Sequence, residues 1–121
     1  MFSKGLLIVA VLFASTPVSG ATADGPVHSI VNVDVKPTHH AIGSHILTDY
    51  VRRARQDPAV VSISLVQQSG SDNHFIVDAT FASKTSHDRF TEETYVLGFR
   101  DALYPHLGSP WDERLGTDLG S

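Results

Sequence analysis

The pattern of hydrophobic and polar positions predicts a strand followed by a helix. Valines alternate with polar residues over residues 27–36, the two-residue period of a half-buried strand, which ends at Pro37. Beyond it, apolar residues recur at helical spacing as far as the Asp57-Pro58 pair, and Thr38 is the predicted cap. The apolar face of this helix consists of Ile42, Ile46, Leu47, Tyr50, Val51 and Ala54.

The second half of the chain predicts a hairpin, a helical region and a last strand. Residues 60–66 are β-branched and apolar, residues 69–73 have the composition of a hairpin loop, and residues 74–81 form the returning strand. Thr85 and Asp88 have the spacing of a capping box, so we expect a helical region from there to Leu107 with a break near Gly98. Residues 111–119 supply the fourth strand.

The resulting order, βαββαβ, is that of a ferredoxin-like α+β sandwich. Both helices of such a unit cover one face of a four-stranded antiparallel sheet and leave the other face bare. A monomer would expose an apolar sheet face, so a second copy of the chain is its natural cover, and we expect a homodimer.

The N-terminus has the features of a secretory signal peptide. Lys4 provides a positive charge, an apolar run of 10 residues follows from Gly5 to Ala14, and the small residues ending at Ala23 form a cleavage pattern. The run is well short of the roughly 20 residues that span a bilayer. We therefore expect cleavage after Ala23, a single domain over residues 24–121, and export to the periplasm or the medium without a membrane anchor.

The composition excludes several classes of function. Without Lys4, eight basic residues face thirteen acidic ones, so nucleic acid and anionic membrane surfaces are poor partners. The chain contains no cysteine, which rules out disulfides and thiolate metal sites. His45 and Asp49 share a helix face, but no second ligand pair is recognisable, so we predict no metal site.

Several short motifs resemble one known family. They are Asn73-His74-Phe75 at the start of the third strand, Phe81 at its end, Phe99-Arg100 in a helix, and GSPWDERL from Gly108 to Leu115. Together they resemble the antibiotic biosynthesis monooxygenase (ABM) family, of the quinol monooxygenase-like kind, over residues 27–119. The resemblance implies a ferredoxin-like fold that pairs into a dimeric α+β barrel. It also implies oxidation of a small phenolic or quinol-type aromatic by O2 without metal, flavin or any other cofactor.

Oxygenation without a cofactor sets three chemical requirements. Triplet oxygen reacts slowly with closed-shell organic molecules, so the protein must first convert its substrate into an electron-rich anion. This takes an apolar pocket for a flat ring, a base near the hydroxyl group, and a donor for the developing oxyanion.

The sequence offers candidates for each requirement. His74 and His87 are the first choices for the base, because imidazole titrates near neutral pH. Tyr95 is a third catalytic candidate, and Asn32 is a fourth because some relatives of this fold place an asparagine on the first strand. The predicted substrate-binding residues are Phe81, Phe90, Phe99, Trp111 and Arg100.

Each candidate also has a structural interpretation. The aromatic residues could form an ordinary core, His74 could act at a strand edge, Asn32 could face a dimer seam, and Arg100 could pair with Asp101. Many quinol monooxygenase-like proteins have tryptophan at the position of Phe81 and histidines at those of Phe90 and Tyr95. These differences leave open an alternative function, a non-catalytic protein that binds a small apolar aromatic ligand on the same scaffold.

Overall fold

Within the residues that the structure describes, four strands and three helices follow one another in the predicted order. The computed structural model describes residues 25–120, so the predicted signal peptide, residues 1–23, lies outside the described residues. The elements are β1 (Val27–Asp34), α1 (His40–Ala54), β2 (Val60–Gln67), β3 (His74–Phe81), α2 (Lys84–Phe90), α3 (Thr94–Leu103) and β4 (Asp112–Gly116). No helix between residues 25 and 120 is long and apolar enough to cross a membrane.

The strands form one antiparallel sheet in the order β2-β3-β1-β4. This order places the two inner strands, β1 and β3, side by side, with Val31 opposite Val77. On the outer side of β1, Val31 lies opposite Glu113 of β4. The predicted ferredoxin-like α+β sandwich is therefore confirmed.

The helix boundaries differ from the predicted ones. Thr38 does not cap α1, because Pro37 begins a short 3-10 turn, Pro37–His39, that leads directly into the helix. Ser83, not Thr85, caps α2, and its hydroxyl oxygen accepts a hydrogen bond from the backbone N–H of Ser86. The helical region is interrupted at residues 91–93, and Gly98 lies inside α3. The last strand is shorter than predicted and ends at Gly116.

The core lies between the sheet and the helices. Alternate residues of β1 and β3 point toward the helices and are buried, as the two-residue period predicts. Leu47 of α1 and Leu103 of α3 are fully buried against them. The inward-facing strand residues are Val27, Ser29, Val31, Val33, Phe75, Val77, Ala79 and Phe81.

The opposite face of the sheet is more polar than the sequence analysis expects. Ile30, Val66 and Ile76 are its aliphatic residues, and the first two are exposed. The rest of this face is polar: His28, Asn32, Asp34, Ser62, Ser64, His74, Asp78, Thr80, Asp112 and Arg114. Within the described residues this face has no cover, and its mixed character suits a partner that brings both polar and apolar groups.

Gly43 allows α1 to pack closely on Val35, the residue that directly follows β1. A Cβ atom at this position would lie 2.8 Å from both γ-methyl groups of Val35, which is completely buried. We expect Gly43→Ala to lower the free energy of unfolding by roughly 1–3 kcal/mol through overpacking. This loss outweighs the gain of about 1 kcal/mol in helix propensity.

Gly98→Ala is the matched control for this prediction. Gly98 also lies inside a helix, but a Cβ atom there would meet nothing within 4 Å. We expect this variant to gain up to about 1 kcal/mol. Urea denaturation measures both values, and equal shifts in the two variants would contradict the packing argument.

Candidate functional site

A cavity of about 280 Å³ lies between the sheet and the helices. An apolar cavity of about 150 Å³ already admits benzene, so this one is large enough for a substituted or bicyclic ring. Most of its lining is apolar, which suits a flat aromatic molecule. The apolar lining residues are Val31, Ile63, Val77, Ala79, Phe81, Phe90, Val96, Leu97 and Trp111.

A carboxylate enters the cavity from β4. Glu113 lies opposite Val31 in the sheet register, and its side chain lines the cavity. The hydroxyl group of Ser29 donates a hydrogen bond to Glu113 Oε2 over 2.6 Å, and His87 Nε2 lies 2.9 Å from the same oxygen. Since both contacts use Oε2, Glu113 Oε1 has no hydrogen-bond partner within residues 25–120. A ligand bound in the cavity can therefore donate a hydrogen bond or a proton to this oxygen.

His87 contacts the carboxylate of Glu113 from outside the cavity lining. Only 5% of the His87 surface is exposed, and its ring meets the ring of Phe81 edge to face at 5.1 Å. Its Nδ1 atom lies 3.0 Å from Oδ1 of Asp88 on the protein surface. The imidazole therefore links a carboxylate of the cavity to one in solvent.

Tyr50 brings a hydroxyl group into the cavity from α1. Its ring stacks on Phe99 at a centroid distance of 3.7 Å, and 8% of its surface is exposed. Its hydroxyl group has no hydrogen-bond partner among the residues that the structure describes. Burial, and secondarily the negative charge of Glu113, raise its pKa well above the ordinary range. The phenol therefore stays protonated and can donate a hydrogen bond to a ligand.

Arg100 adds a positive charge at the edge of the cavity. Its guanidinium group lies over the ring of Trp111, 4.0 Å from the ring centroid. It forms no ion pair within the described part of the chain. Partial burial lowers its pKa, and Glu113 opposes this shift. Because no carboxylate of the described residues forms a direct ion pair with it, the guanidinium group can still donate to a developing anion.

A wider groove of about 740 Å³ adjoins the cavity. Arg100, Asp101 and Trp111 line both, so these side chains form the boundary between them. The groove is larger, but the buried acid-base groups belong to the cavity. We therefore place the chemistry in the cavity and regard the groove as its approach.

The structure brings most of the predicted substrate-binding residues together. Phe81, Phe90, Trp111 and Arg100 line the cavity. Phe99 lies one layer behind, between the rings of Tyr50 and Trp111. Phe81 and Phe90 also pack on each other at 5.0 Å, so these aromatics belong to the core and to the cavity wall at once.

All four predicted catalytic residues lie outside the cavity lining. Tyr95 donates its hydroxyl hydrogen to Asp57 on the other side of the helices. His74 lies on the open face of the sheet, where Nε2 is 2.9 Å from Asp34 Oδ1. Asn32 is exposed on the same face. Of the four, only His87 reaches the cavity groups, and it does so through Glu113.

The sequence analysis missed Tyr50, Glu113 and Ser29. Ser29 was detectable, because it is a polar residue at an inward position of a strand whose other inward positions are valines. Glu113 has the same signal, since it stands between Trp111 and Leu115 at alternating positions. Tyr50 had no such signal, because a tyrosine on an apolar helix face is typical of a core.

No cluster of three or more histidine, cysteine, aspartate or glutamate side chains suited to a metal ion occurs within residues 25–120. Instead, the imidazole ring of His87 lies between the carboxylates of Glu113 and Asp88 and contacts each of them through one ring nitrogen. This arrangement suits proton transfer.

Comparison with known proteins identifies the fold. The sequence matches no protein-family model and no curated protein. The structure is similar to that of a candidate antibiotic biosynthesis monooxygenase from Nitrosomonas europaea, with a TM-score of 0.74 and 14% identity over 79% of this chain and 92% of the other. A candidate from Caulobacter crescentus gives a TM-score of 0.74 and 13% identity over 80% and 92%.

A third similar structure is SnoaB from Streptomyces nogalater, described as a cofactor-independent oxygenase. Its TM-score is 0.67, with 16% identity over 79% of this chain and 95% of the other. Identities this low define the fold alone. The chain therefore has the ferredoxin-like α+β fold of the antibiotic biosynthesis monooxygenase proteins.

Proposed function

We propose that the protein is a cofactor-independent monooxygenase that oxidises a small phenolic or quinol-type aromatic with O2. The observation that carries this proposal is the buried, unpartnered hydroxyl group of Tyr50, which shares an apolar cavity with the carboxylate of Glu113. A buried polar group without a partner costs free energy, so its retention is typical of a binding site. The fold it shares with SnoaB supports the same class of reaction.

In the proposed reaction, Glu113 Oε1 accepts the hydroxyl proton of the substrate. The anion donates an electron pair to O2, so that one oxygen atom bonds to a ring carbon. The other oxygen atom leaves as water with the two hydrogens that the substrate loses. Tyr50 and Arg100 stabilise the substrate oxyanion, because both present donors to the cavity.

The free-energy cost of this proton transfer is similar to the stabilisation that two hydrogen-bond donors give to the oxyanion. Moving a proton from a phenol to a carboxylate costs about 8 kcal/mol at their ordinary pKa values of about 10 and 4.3. A single preorganised donor contributes roughly 3–4 kcal/mol to an oxyanion in a site that excludes water, so two contribute roughly 6–8 kcal/mol. Tyr50 and Arg100 together therefore offset most of the cost.

Tyr50→Phe should change stability and turnover in opposite directions. Removing a buried hydroxyl group without a partner should raise the free energy of unfolding by about 1 kcal/mol. Losing the same donor should lower kcat by about 10²-fold. Urea denaturation and oxygen uptake measure the two effects. Tyr104→Phe, at an exposed tyrosine, is the control and should change neither. A destabilised Tyr50→Phe protein would show that the hydroxyl group has a structural role.

The proposed activity is tested by oxygen uptake. The purified mature protein, treated with chelator, is mixed with a panel of hydroquinones, anthrones and naphthols. We expect uptake above the rate of autoxidation that heat denaturation abolishes. Saturable binding with no uptake across the panel would contradict the proposal and favour the alternative, a binding protein on the same scaffold.

We further propose that the protein is exported and works as a homodimer. A second copy would cover the open sheet face with its aliphatic residues Ile30, Val66 and Ile76. Light scattering after size exclusion tests the dimer, and a mass near 13 kDa or below would contradict it. Mass spectrometry of the protein from its host tests export, since cleavage after Ala23 leaves a chain that begins with Asp24.

A further inference from the structure

We infer that the substrate carries an anionic side chain, a carboxylate on a short alkyl chain, and that the groove beside the cavity binds this side chain through Lys36. The inference rests on the proposed function, because it narrows the class of phenolic or quinol-type aromatic that the cavity would take. Its observation is the groove of about 740 Å³ that adjoins the cavity and is lined by Lys36.

The groove is larger than an opening for a small phenol needs to be. Its volume of about 740 Å³ is more than twice that of the cavity, which is about 280 Å³. Because Arg100, Asp101 and Trp111 line both spaces, a substituent on a ring in the cavity can extend past these side chains into the groove. A ligand that fills both spaces is therefore a ring with an attached side chain.

The lining of the groove suits an alkyl chain. Tyr104, Pro105, Leu107 and Pro110 contribute apolar surface to it. The surface of Tyr104 is 76% exposed, so most of its ring is open to a ligand. Covering these side chains with a methylene chain removes apolar surface from water and so favours binding.

The charge of the groove differs in sign from that of the chain. Residues 24–121 contain eight basic and thirteen acidic residues, but the groove is lined by two cations, Lys36 and Arg100, and by one carboxylate, that of Asp101. Neither cation forms an ion pair within residues 25–120. This excess of positive charge is complementary to an anionic group of a ligand.

Lys36 is placed to bind the side chain of the substrate and not its ring. It lines the groove but not the cavity, whereas Arg100 lines both. The backbone of Lys36 is fixed, since its N–H donates to the carbonyl of His106 over 2.9 Å and its carbonyl accepts from the N–H of His39 over 2.8 Å. One ammonium group on this base suits a singly charged carboxylate, because phosphate sites usually combine several donors.

Matched pairs of ligands test the side chain directly. Each pair consists of a hydroxynaphthyl alkanoic acid and its primary amide, which differ in charge but hardly in size. Acetic, butanoic and hexanoic acid homologues cover different lengths of the alkyl chain. Isothermal titration calorimetry under nitrogen, at low salt and about pH 7.5, where a carboxylic acid is ionised, gives the Kd of each ligand without turnover.

We expect at least one acid to bind about two- to fivefold more tightly than its amide, the range of a partly exposed ion pair. Added salt should weaken this preference. Lys36→Gln should remove the preference without changing the Kd of the amide, and Lys36→Glu should reverse it. Lys84→Gln is the matched control, because it removes the same charge at an exposed lysine outside the groove lining. It should keep the preference.

The outcomes separate this inference from the proposed function. Equal Kd values for every acid and its amide, or no binding of any pair, would overturn the inference. An equal loss of preference in Lys36→Gln and Lys84→Gln would also overturn it, because the preference would then reflect the net charge of the protein. Oxygen uptake with neutral phenols but no preference for an acid would overturn the side-chain site alone. A preference that depends on Lys36, without oxygen uptake, would support the site and contradict the proposed reaction.

Discussion

Glu113→Gln is expected to lower kcat by roughly 10²–10⁴-fold, the range that general bases contribute. Glutamine has the same size, and its amide oxygen can still accept the hydrogen bond from Ser29. It cannot take up a proton at neutral pH. The substrate should therefore bind with similar affinity but remain un-ionised, so kcat falls while KM changes little.

Steady-state oxygen uptake measures this variant against the substrate that the panel identifies. Glu92→Gln is the matched control, because Glu92 is an exposed glutamate in the segment between α2 and α3. Its kcat should stay within about twofold of the wild type. If Glu113→Gln also retains wild-type kcat, Glu113 is not the base, and the chemistry must be sought at His74 and Asp34 on the open sheet face.

The sequence predicted the fold because its periodicity records which residues face the core. The alternation in β1 and β3 and the helical spacing in α1 are direct consequences of burial on one side. The order of elements then left few topologies, and the antiparallel order β2-β3-β1-β4 is one of them. The helix caps were harder to predict, because serine and threonine are both favoured at the N-cap position and Ser83 and Thr85 lie only two residues apart.

The candidate site was only partly predictable because it depends on tertiary neighbours. The aromatic residues of the cavity wall were predictable, since apolar pockets draw on the same side chains as cores. The role of Tyr50 depends on the absence of a hydrogen-bond partner for its hydroxyl group among the described residues, and no local sequence pattern indicates that absence. Likewise, Glu113 is adjacent to Arg114 in sequence, but the strand turns these two side chains to opposite faces, and only the structure shows that Glu113 enters the cavity.

Phe81→Ala is expected to lower the free energy of unfolding by roughly 3–5 kcal/mol. Phe81 is 2% exposed and packs on Phe90 and on the edge of the His87 ring. Its loss would extend a cavity that already exists, so the neighbouring side chains have little to collapse onto. Since small domains are stable by about 5–15 kcal/mol in total, this loss is a large share.

Tyr104→Ala is the control for Phe81→Ala, because Tyr104 is an aromatic residue with 76% of its surface exposed. Urea denaturation should place it within about 0.5 kcal/mol of the wild type. A loss below about 1 kcal/mol in Phe81→Ala would mean that the cavity wall can rearrange. That result would also weaken the site, because a wall that moves cannot hold His87 and Glu113 at hydrogen-bond distance. The stability of the wall and the geometry of the contact between Glu113 and His87 thus depend on the same side chain.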